Sequence, residues 1–149
     1  MIILYTTERD YPWGTLRSTH GSKTKVVLEE KRQEHALEIG EQLIEGLREL
    51  MENHELIGDV RGSGLFLGVE LVRNRKTREP ATEETDAVVN QMRAAGILLG
   101  TDGPFHNVIK IRPPMPFNSD NALQLIDTLR RVLTNLPIKL NPNRTSSQV

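Results

Sequence analysis

The spacing of apolar and polar positions predicts a long first helix and an amphipathic last one. Over residues 26–53 apolar side chains recur at steps of three and four, and glutamates occupy the opposite face. Gly40 and Gly46 interrupt this helix, and because glycine weakens a helix we expect both to mark the close approach of another element. Asn118 or Ser119 is predicted to cap the last helix. The apolar stripe of that helix comprises Ala122, Leu125, Ile126, Leu129, Val132 and Leu133.

A shorter helix is predicted between these two. Thr82 is its expected N-cap, and Glu83 and Glu84 in the first turn suit the positive end of the helix dipole. Gly96 is expected to end it, because glycine readily adopts the left-handed conformation found just after a helix. The predicted buried stripe consists of Val88, Met92 and Ala95.

Alternating side chains between the helices predict two pairs of strands. Residues 57–61 and 65–72 form the first pair, joined at Gly62-Ser63-Gly64. Residues 97–100 and a strand containing Val108, Ile109 and Ile111 form the second pair, joined by a turn at residues 101–104. The order is helix, strand pair, helix, strand pair, helix. It predicts an α+β fold in which helices pack on one face of a small, mainly antiparallel sheet.

The pattern is irregular at both ends of the chain. Residues 1–25 contain both tyrosines and the single tryptophan and are interrupted by Pro12, Gly14 and Gly21, which predicts an N-terminal arm with a short strand within residues 1–5. Residues 137–149 are polar and punctuated by proline, which predicts a tail. The expected domain is therefore residues 26–136.

Composition narrows the class of protein without identifying its chemistry. The 149 residues suffice for one domain with a core. The 19 Lys and Arg residues nearly balance the 20 Asp and Glu residues, so charge gives no reason to expect a nucleic acid or a membrane as partner. No apolar run is long enough to span a bilayer and no signal-peptide pattern is present, so a cytoplasmic location is expected. The chain has no cysteine, which excludes disulfides and thiolate sites within it.

Two glycine-rich segments and four histidines are weak candidates for a site. A phosphate cradle needs a helix N-terminus directly after its glycines, whereas strands follow both residues 62–64 and residues 100–103, so tight turns are the favoured interpretation. The histidines lack the spacing of metal ligands, and no metal site is predicted. His106 lies near Asp102 in the sequence, which suggests a general base. Without an adjoining serine or cysteine nucleophile, a surface histidine is favoured.

Charged residues within the apolar strands are stronger candidates. Glu70 lies in such a strand, where an ionised carboxylate needs a partner, and Arg61 or Lys110 is expected to pair with it. Lys110 and Arg112 are two residues apart and so share one strand face. Two cations there can bind a carboxylate or a phosphate, with help from the Thr101 hydroxyl and the backbone N–H groups of the turn, or they form a solvated face. Pairing of Arg112 with Glu70 would weaken such a site.

Two segments resemble a known enzyme family. Residues 58–71, with the sequence GDVRGSGLFLGVEL, resemble the VRG-x-GL-x-x-G-x-E signature near the C-terminus of class-III pyridoxal-phosphate-dependent aminotransferases. Residues 96–117, GILLGTDGPFHNVIKIRPPMPF, are similar to the subgroup that contains ethanolamine-phosphate and phosphohydroxylysine phospho-lyases. The likeness covers about residues 26–136. It implies the small C-terminal domain of the fold-type I pyridoxal-phosphate-dependent transferases.

The resemblance implies a cofactor that this chain is not expected to hold by itself. Enzymes of the family bind pyridoxal phosphate in a large domain. The Schiff-base lysine, the aspartate beside the pyridine nitrogen and the glycine-rich phosphate contacts all lie upstream of the part that matches. We therefore expect no catalytic residue, no cofactor-binding residue and no specific binding of pyridoxal phosphate.

The resemblance also gives the position of Lys110 a substrate role. Many members of the family carry there an arginine that binds the substrate α-carboxylate, whereas the phospho-lyase-like subgroup is expected to carry lysine and to take phosphorylated substrates. Lysine lacks the bidentate fork of arginine. Lys110 and Arg112 are the predicted substrate-binding residues, although no role of Arg112 is established in the family.

The leading functional interpretation is the C-terminal portion of a class-III aminotransferase-like enzyme, inactive alone, as an isolated fragment, a truncated product or a standalone protein. The intact enzyme would transaminate a small phosphorylated amine or amino acid, or eliminate phosphate from it, in the cytoplasm or the mitochondrial matrix. The expected partners are a large cofactor-binding domain or subunit and a second copy of the chain. By the resemblance, Val26, Val27 and Leu28 would face the large domain, and without it this apolar surface would favour self-association. The alternative is a non-catalytic binding module that uses the same fold and meets a partner through the long helix.

Overall fold

The computed structural model describes residues 2–3 and 32–136, and this part of the chain contains three helices and seven strands. The elements are β1 (Ile2–Ile3), α1 (Arg32–Asn53), β2 (Ile57–Ser63), β3 (Phe66–Asn74), β4 (Glu79–Pro80), α2 (Thr82–Ala94), β5 (Ile97–Leu98), β6 (Gly100–Asp102), β7 (Val108–Ile111) and α3 (Ser119–Asn135). The predicted order of helices and strand pairs is confirmed, except that residues 97–98 of the second pair form β5, which pairs with β1 and not with β7. The predicted helical residues 26–31, the rest of the arm and the tail lie outside the described residues.

The main sheet is antiparallel throughout. Its strand order is β2-β3-β7-β6, and β4 adds to it by pairing with β3. At the centre, Val69 of β3 stands opposite Val60 of β2 on one side and Ile109 of β7 on the other. The short strands β1 and β5 pair in parallel as a separate ribbon. The α+β fold with a mainly antiparallel sheet is therefore confirmed.

The helices pack against one face of this sheet over a hydrophobic core. Side chains of α1 and α3 meet alternate positions of β2, β3 and β7, and the predicted apolar stripe of α3 is buried throughout. Asn118 caps α3 as predicted: its side-chain oxygen accepts from the backbone N–H of Asn121 at 2.9 Å, and the Asn121 side chain accepts in return.

Two glycines of α1 let the helix approach its neighbours closely, as predicted. A Cβ on Gly40 would clash with the backbone of Gly64, so α1 rests directly on the turn between β2 and β3. A Cβ on Gly46 would meet the side chain of Ile126 in α3. Gly64 has a φ of 52°, in the left-handed region that favours glycine. The β2–β3 turn is thus fixed by contact with α1.

The N-terminal end and the buried stripe of α2 differ from the prediction, whereas Gly96 follows the C-cap residue Ala95 with a φ of 85° and ends the helix as predicted. Its N-cap is Ala81, and the hydroxyl of Thr82 donates instead to the carbonyl oxygen of Phe105 at 2.6 Å, because the loop after β6 lies within its reach. Ala95 is exposed because the helix has already ended there. The buried stripe begins one turn earlier, at Thr85, whose hydroxyl donates to the carbonyl oxygen of Ala81 at 2.7 Å.

The second glycine turn starts later than predicted. Residues 100–102 pair with β7 as strand β6, and the chain reverses over residues 103–107, where Gly103 and His106 have positive φ values of 85° and 51°. Thr101 stands opposite Ile109, which is fully buried, so its side chain lies on the face covered by the helices. The expectation that the Thr101 hydroxyl would assist Lys110 is therefore wrong.

Arg75 secures the C-terminal end of α1, a contact that no local sequence pattern predicts. Its guanidinium donates to the carbonyl oxygens of Met51, of His54 at 2.9 Å and of Ile57 at 3.0 Å. The last carbonyl groups of a helix have no partner within the helix and need one outside it. The loop after β3 therefore holds α1 and β2 together.

Candidate functional site: the open face of the sheet

The face of the sheet away from the helices carries the candidate site residues. Directly paired residues of antiparallel strands point to the same side, so alternate positions of four strands share this face. Among the alternate positions of β3 on this face Val72 is buried, whereas the residues grouped here are exposed or half-buried. We call this surface the open face; it comprises Asp59, Arg61, Phe66, Gly68, Glu70, Gly100, Asp102, Val108, Lys110 and Arg112.

The charges of the open face form two separate groups of ion pairs. Arg61 lies 2.8 Å from Asp59 and 2.9 Å from Glu70, so the predicted pairing of Glu70 with Arg61 is confirmed. The Nζ atom of Lys110 lies 2.7 Å from Oδ2 of Asp102. Glu70 stands diagonally across from both Arg61 and Lys110, and its carboxylate pairs with Arg61.

The guanidinium group of Arg112 packs on an aromatic ring and does not pair with a carboxylate of the open face. Its guanidinium carbon is 5.3 Å from the centre of the Phe66 ring, within the range of a cation–π contact. Both residues are exposed. The alternative pairing of Arg112 with Glu70 is therefore not formed, because β7 ends at Ile111 and Arg112 follows at the end of the face where Phe66 lies.

A hollow of about 410 Å³ opens around Lys110. Gly68 and Gly100 stand opposite Lys110 on the two neighbouring strands, so no side chain flanks the lysine stem there. The hollow is lined by two cations, one carboxylate, three apolar residues and three glycines: Arg61, Lys110, Asp102, Phe66, Leu67, Val108, Gly62, Gly68 and Gly103. Its second cation is Arg61 and not Arg112. The sequence indicates Arg61 only as a partner of Glu70 and gives no signal that it lines a hollow.

Both carboxylate oxygens of Asp102 are engaged. Oδ2 contacts Lys110, and Oδ1 accepts the backbone N–H of Gly103 at 2.9 Å. The hydrogen bond from Lys110, then that from Gly103, holds the pKa of Asp102 below its usual value, with a smaller contribution from the charge of His106. Asp102 is therefore ionised at neutral pH and balances the charge of Lys110. His106 itself is exposed.

Neither a metal site nor a membrane-spanning helix is found among the described residues; His20 lies outside them. Among the described residues, no group of three or more His, Asp or Glu side chains could hold a metal ion. None of the three described helices is long and apolar enough to cross a membrane. The outer side of α1 borders a concavity of about 640 Å³ whose described lining is mainly acidic, which is typical of a solvated helix face; its members are Glu41, Ile44, Glu45, Arg48, Glu49 and Glu52.

Sequence comparison places this face within a known family. Residues 20–133 match the family described as aminotransferase class-III. Over 114 residues the chain is 46% identical to the Caenorhabditis elegans protein named ethanolamine-phosphate phospho-lyase homolog 1. This match covers 76% of this chain and 24% of that protein. Over 104 residues the chain is 49% identical to alanine–glyoxylate aminotransferase 2 homolog 2, mitochondrial, of Arabidopsis thaliana, covering 70% of this chain and 22% of that protein.

Structural comparison agrees. A phospholyase from Arthrobacter, solved in complex with phosphoethanolamine, matches with a TM-score of 0.74 at 30% sequence identity, over 78% of this chain and 28% of that one. The chain spans about a quarter of the length of these relatives. The family match includes every residue of the open face. The chain therefore belongs to the class-III aminotransferase family.

Proposed function

We propose that this chain is the C-terminal portion of a class-III aminotransferase-like enzyme, and that it presents an anion-binding face to an active site completed by a large domain or subunit. The observation that carries the proposal is the position of Lys110, which lies in an open hollow between two glycines. The chain matches about a quarter of the length of its relatives, so the rest of such an enzyme would complete the site. Lys110 is the proposed substrate-binding residue of the hollow. Arg112, which lies over the Phe66 ring and outside the lining of the hollow, is the second proposed substrate-binding residue.

We infer that the described residues do not by themselves form a site for pyridoxal phosphate, the cofactor of the family. The cofactor requires a lysine for the Schiff base, a partner for the ring nitrogen and donors around its phosphate. The two described lysines are Lys76, in the exposed loop between β3 and β4, and Lys110, which is held by Asp102. We infer that the chain alone is inactive, and we assign no catalytic and no cofactor-binding residue to it.

A phosphate group suits Lys110 better than a carboxylate does. Lysine is a point charge without the planar fork that grips a carboxylate, whereas it is a common ligand of phosphate. Two of the relatives are named phospho-lyases, and one of them is in complex with phosphoethanolamine. We propose that the intact enzyme acts on a small phosphorylated amine or amino acid, either by transamination or by elimination of phosphate.

The affinity of the hollow itself should be low. Arg61 is engaged with Asp59 and Glu70, and Lys110 with Asp102, so both cations already have partners. Phosphate should bind in the millimolar range, which corresponds to about 4 kcal/mol. The apolar side chains of Phe66 and Val108 can contact the carbon part of a ligand.

Titration of the isotopically labelled chain with inorganic phosphate at constant ionic strength tests this proposal. Amide shifts should concentrate in residues 101–112 and disappear in Lys110→Ala. The matched control is Lys76→Ala, which removes the same charge from an exposed loop and should leave the shifts intact. Shifts that scatter over the surface, or that persist in Lys110→Ala, would refute the anion site and favour a binding module that uses another surface.

We also propose that residues 26–136 form the folded unit, flanked by the arm of residues 1–25 and the tail of residues 137–149. The family match over residues 20–133 and the core of residues 39–136 support these boundaries. Limited proteolysis of the full chain followed by mass spectrometry should yield a resistant product close to residues 26–136. Cleavage within residues 39–136 at a comparable rate would contradict the boundaries.

A further inference from the structure

The ion pair with Asp102 occupies the ammonium group of Lys110, which the proposed anion site needs. The two side chains meet at 2.7 Å, diagonally across β6 and β7, and the lysine is less exposed than the carboxylate, at 23% against 56%. Gly103 fixes the other carboxylate oxygen through its backbone N–H. The hydrogen bond from Gly103 therefore orients the Asp102 carboxylate as an acceptor for Lys110.

No other described carboxylate is equally placed to do this. Glu70 is diagonal to Lys110 across β3 and β7, but it is bound to Arg61 at 2.9 Å. The pairing of the open face thus leaves Asp102 as the partner of Lys110 in the described part of the chain, and the hollow has little net charge. An incoming anion must share Lys110 with a fixed negative charge or displace it.

We propose that Asp102 is an internal competitor that determines the ligand affinity of Lys110: it occupies the ammonium group in the absence of a ligand and lowers the affinity for small anions. This inference rests on the proposed function of Lys110 as an anion-binding residue. A ligand that brings a single carboxylate replaces the Asp102 contact by an equivalent one and gains little. Tight binding therefore requires a ligand with further contacts, which other parts of an intact active site would supply. Asp102 thus selects against free small anions.

The substitution Asp102→Asn isolates this effect. Asparagine keeps a side-chain oxygen that can accept the Gly103 N–H and so preserves the turn, but it removes the charge that competes for Lys110. Exposed ion pairs typically contribute little free energy. Removal of the Lys110–Asp102 pair should therefore increase the affinity for phosphate by only about two- to fivefold. Asp102→Ser is a second variant that keeps an oxygen acceptor. Asp127→Asn is the matched control, because it makes the same change of net charge at the ion pair with Arg130 in α3.

The experiment compares dissociation constants for inorganic phosphate, from amide shifts at pH 8 and constant ionic strength. The full chain, Asp102→Asn, Asp102→Ser, Asp127→Asn and the double variant Asp102→Asn/Lys110→Ala are measured, and circular dichroism verifies that each is folded. We expect both Asp102 variants to bind about two- to fivefold more tightly, Asp127→Asn to bind like the unsubstituted chain, and the double variant to lose binding.

The outcomes separate this inference from the proposal beneath it. Phosphate binding that depends on Lys110 but is as weak as in the unsubstituted chain, or weaker, in both Asp102 variants would mean that Asp102 positions the lysine or has no effect on its affinity. The competitor role is then refuted and the anion site stands. If the double variant binds as well as Asp102→Asn, Lys110 is not the ligand, and both proposals are overturned. An equal gain in Asp127→Asn would attribute the effect to net charge and would also refute the competitor role.

Discussion

The close approach of α1 to the β2–β3 turn predicts that Gly40→Ala destabilises the protein. A Cβ at position 40 would lie 2.6 Å from the Cα atom of Gly64, whereas ordinary van der Waals contact begins at about 3.4 Å. The nearest atoms are all backbone atoms of Gly64, so no side chain can rotate away. Either the helix or the turn beside the open face must move by roughly 1 Å.

The magnitude follows from two opposing terms. Alanine is favoured over glycine inside a helix by about 1 kcal/mol. Overpacking typically costs about 1–3 kcal/mol and can cost more when the neighbour is backbone. Because the clash is with backbone, the upper part of that range, about 2–3 kcal/mol, applies. The net loss in the free energy of unfolding is then about 1–2 kcal/mol, which lowers the melting temperature by about 3–6 °C for a chain of this length.

Urea denaturation and thermal melting followed by circular dichroism measure this loss. The matched control is Gly46→Ala in the same helix, where the new Cβ would meet the terminal methyl group of Ile126, a flexible side chain that can adopt another rotamer. We expect Gly46→Ala to be less destabilising than Gly40→Ala by at least about 1 kcal/mol. Equal stability of the two variants, or a Gly40→Ala protein more stable than the original, would refute the contact between α1 and the turn.

Two further predictions concern the C-terminal end of α1. Arg75→Met removes the donor that serves three carbonyl groups and should lower the free energy of unfolding by about 1–3 kcal/mol in urea denaturation, while Lys76→Met on the same exposed loop should change it by less than about 0.5 kcal/mol. Burial, and secondarily the charge of Arg130, lowers the pKa of His54, so the folded state favours the neutral imidazole. The resulting stabilisation is complete above the usual histidine pKa of about 6.5 and is lost as the pH falls below it towards the lowered folded-state pKa. Between pH 7.5 and pH 5.5 the unsubstituted chain should therefore lose more stability than His54→Gln, and equal losses would contradict the prediction.

The sequence alone predicts the elements whose signals are local. The six apolar positions of α3 are buried as expected, and Asn118 caps the helix, because both features depend on spacing within one segment. The pairing of Glu70 with Arg61 was also predictable, since a carboxylate in an apolar strand needs a cation on the neighbouring strand.

The contacts that shape the candidate site depend on register and were missed. Residues 100–102 contain two residues typical of turns, and only their pairing with β7 shows that Asp102 faces Lys110 and Thr101 faces the core. The ring of Phe66 meets Arg112 because β3 and β7 are neighbours, although many residues separate them in the sequence. Shifting a strand by one residue reverses every side chain, so composition and spacing cannot fix such contacts.

Exposure of the isolated chain to pyridoxal phosphate, followed by borohydride reduction and mass spectrometry, tests most directly the central claim that the cofactor chemistry of the enzyme resides outside this chain. We predict that reduction traps no stoichiometric adduct on a single lysine and that the protein shows no absorbance typical of a bound Schiff base, because the described lysines lie in an exposed loop or are held by Asp102. A stoichiometric adduct on one lysine, lost when that lysine is replaced, would show that the chain carries its own cofactor site and would contradict the proposed function.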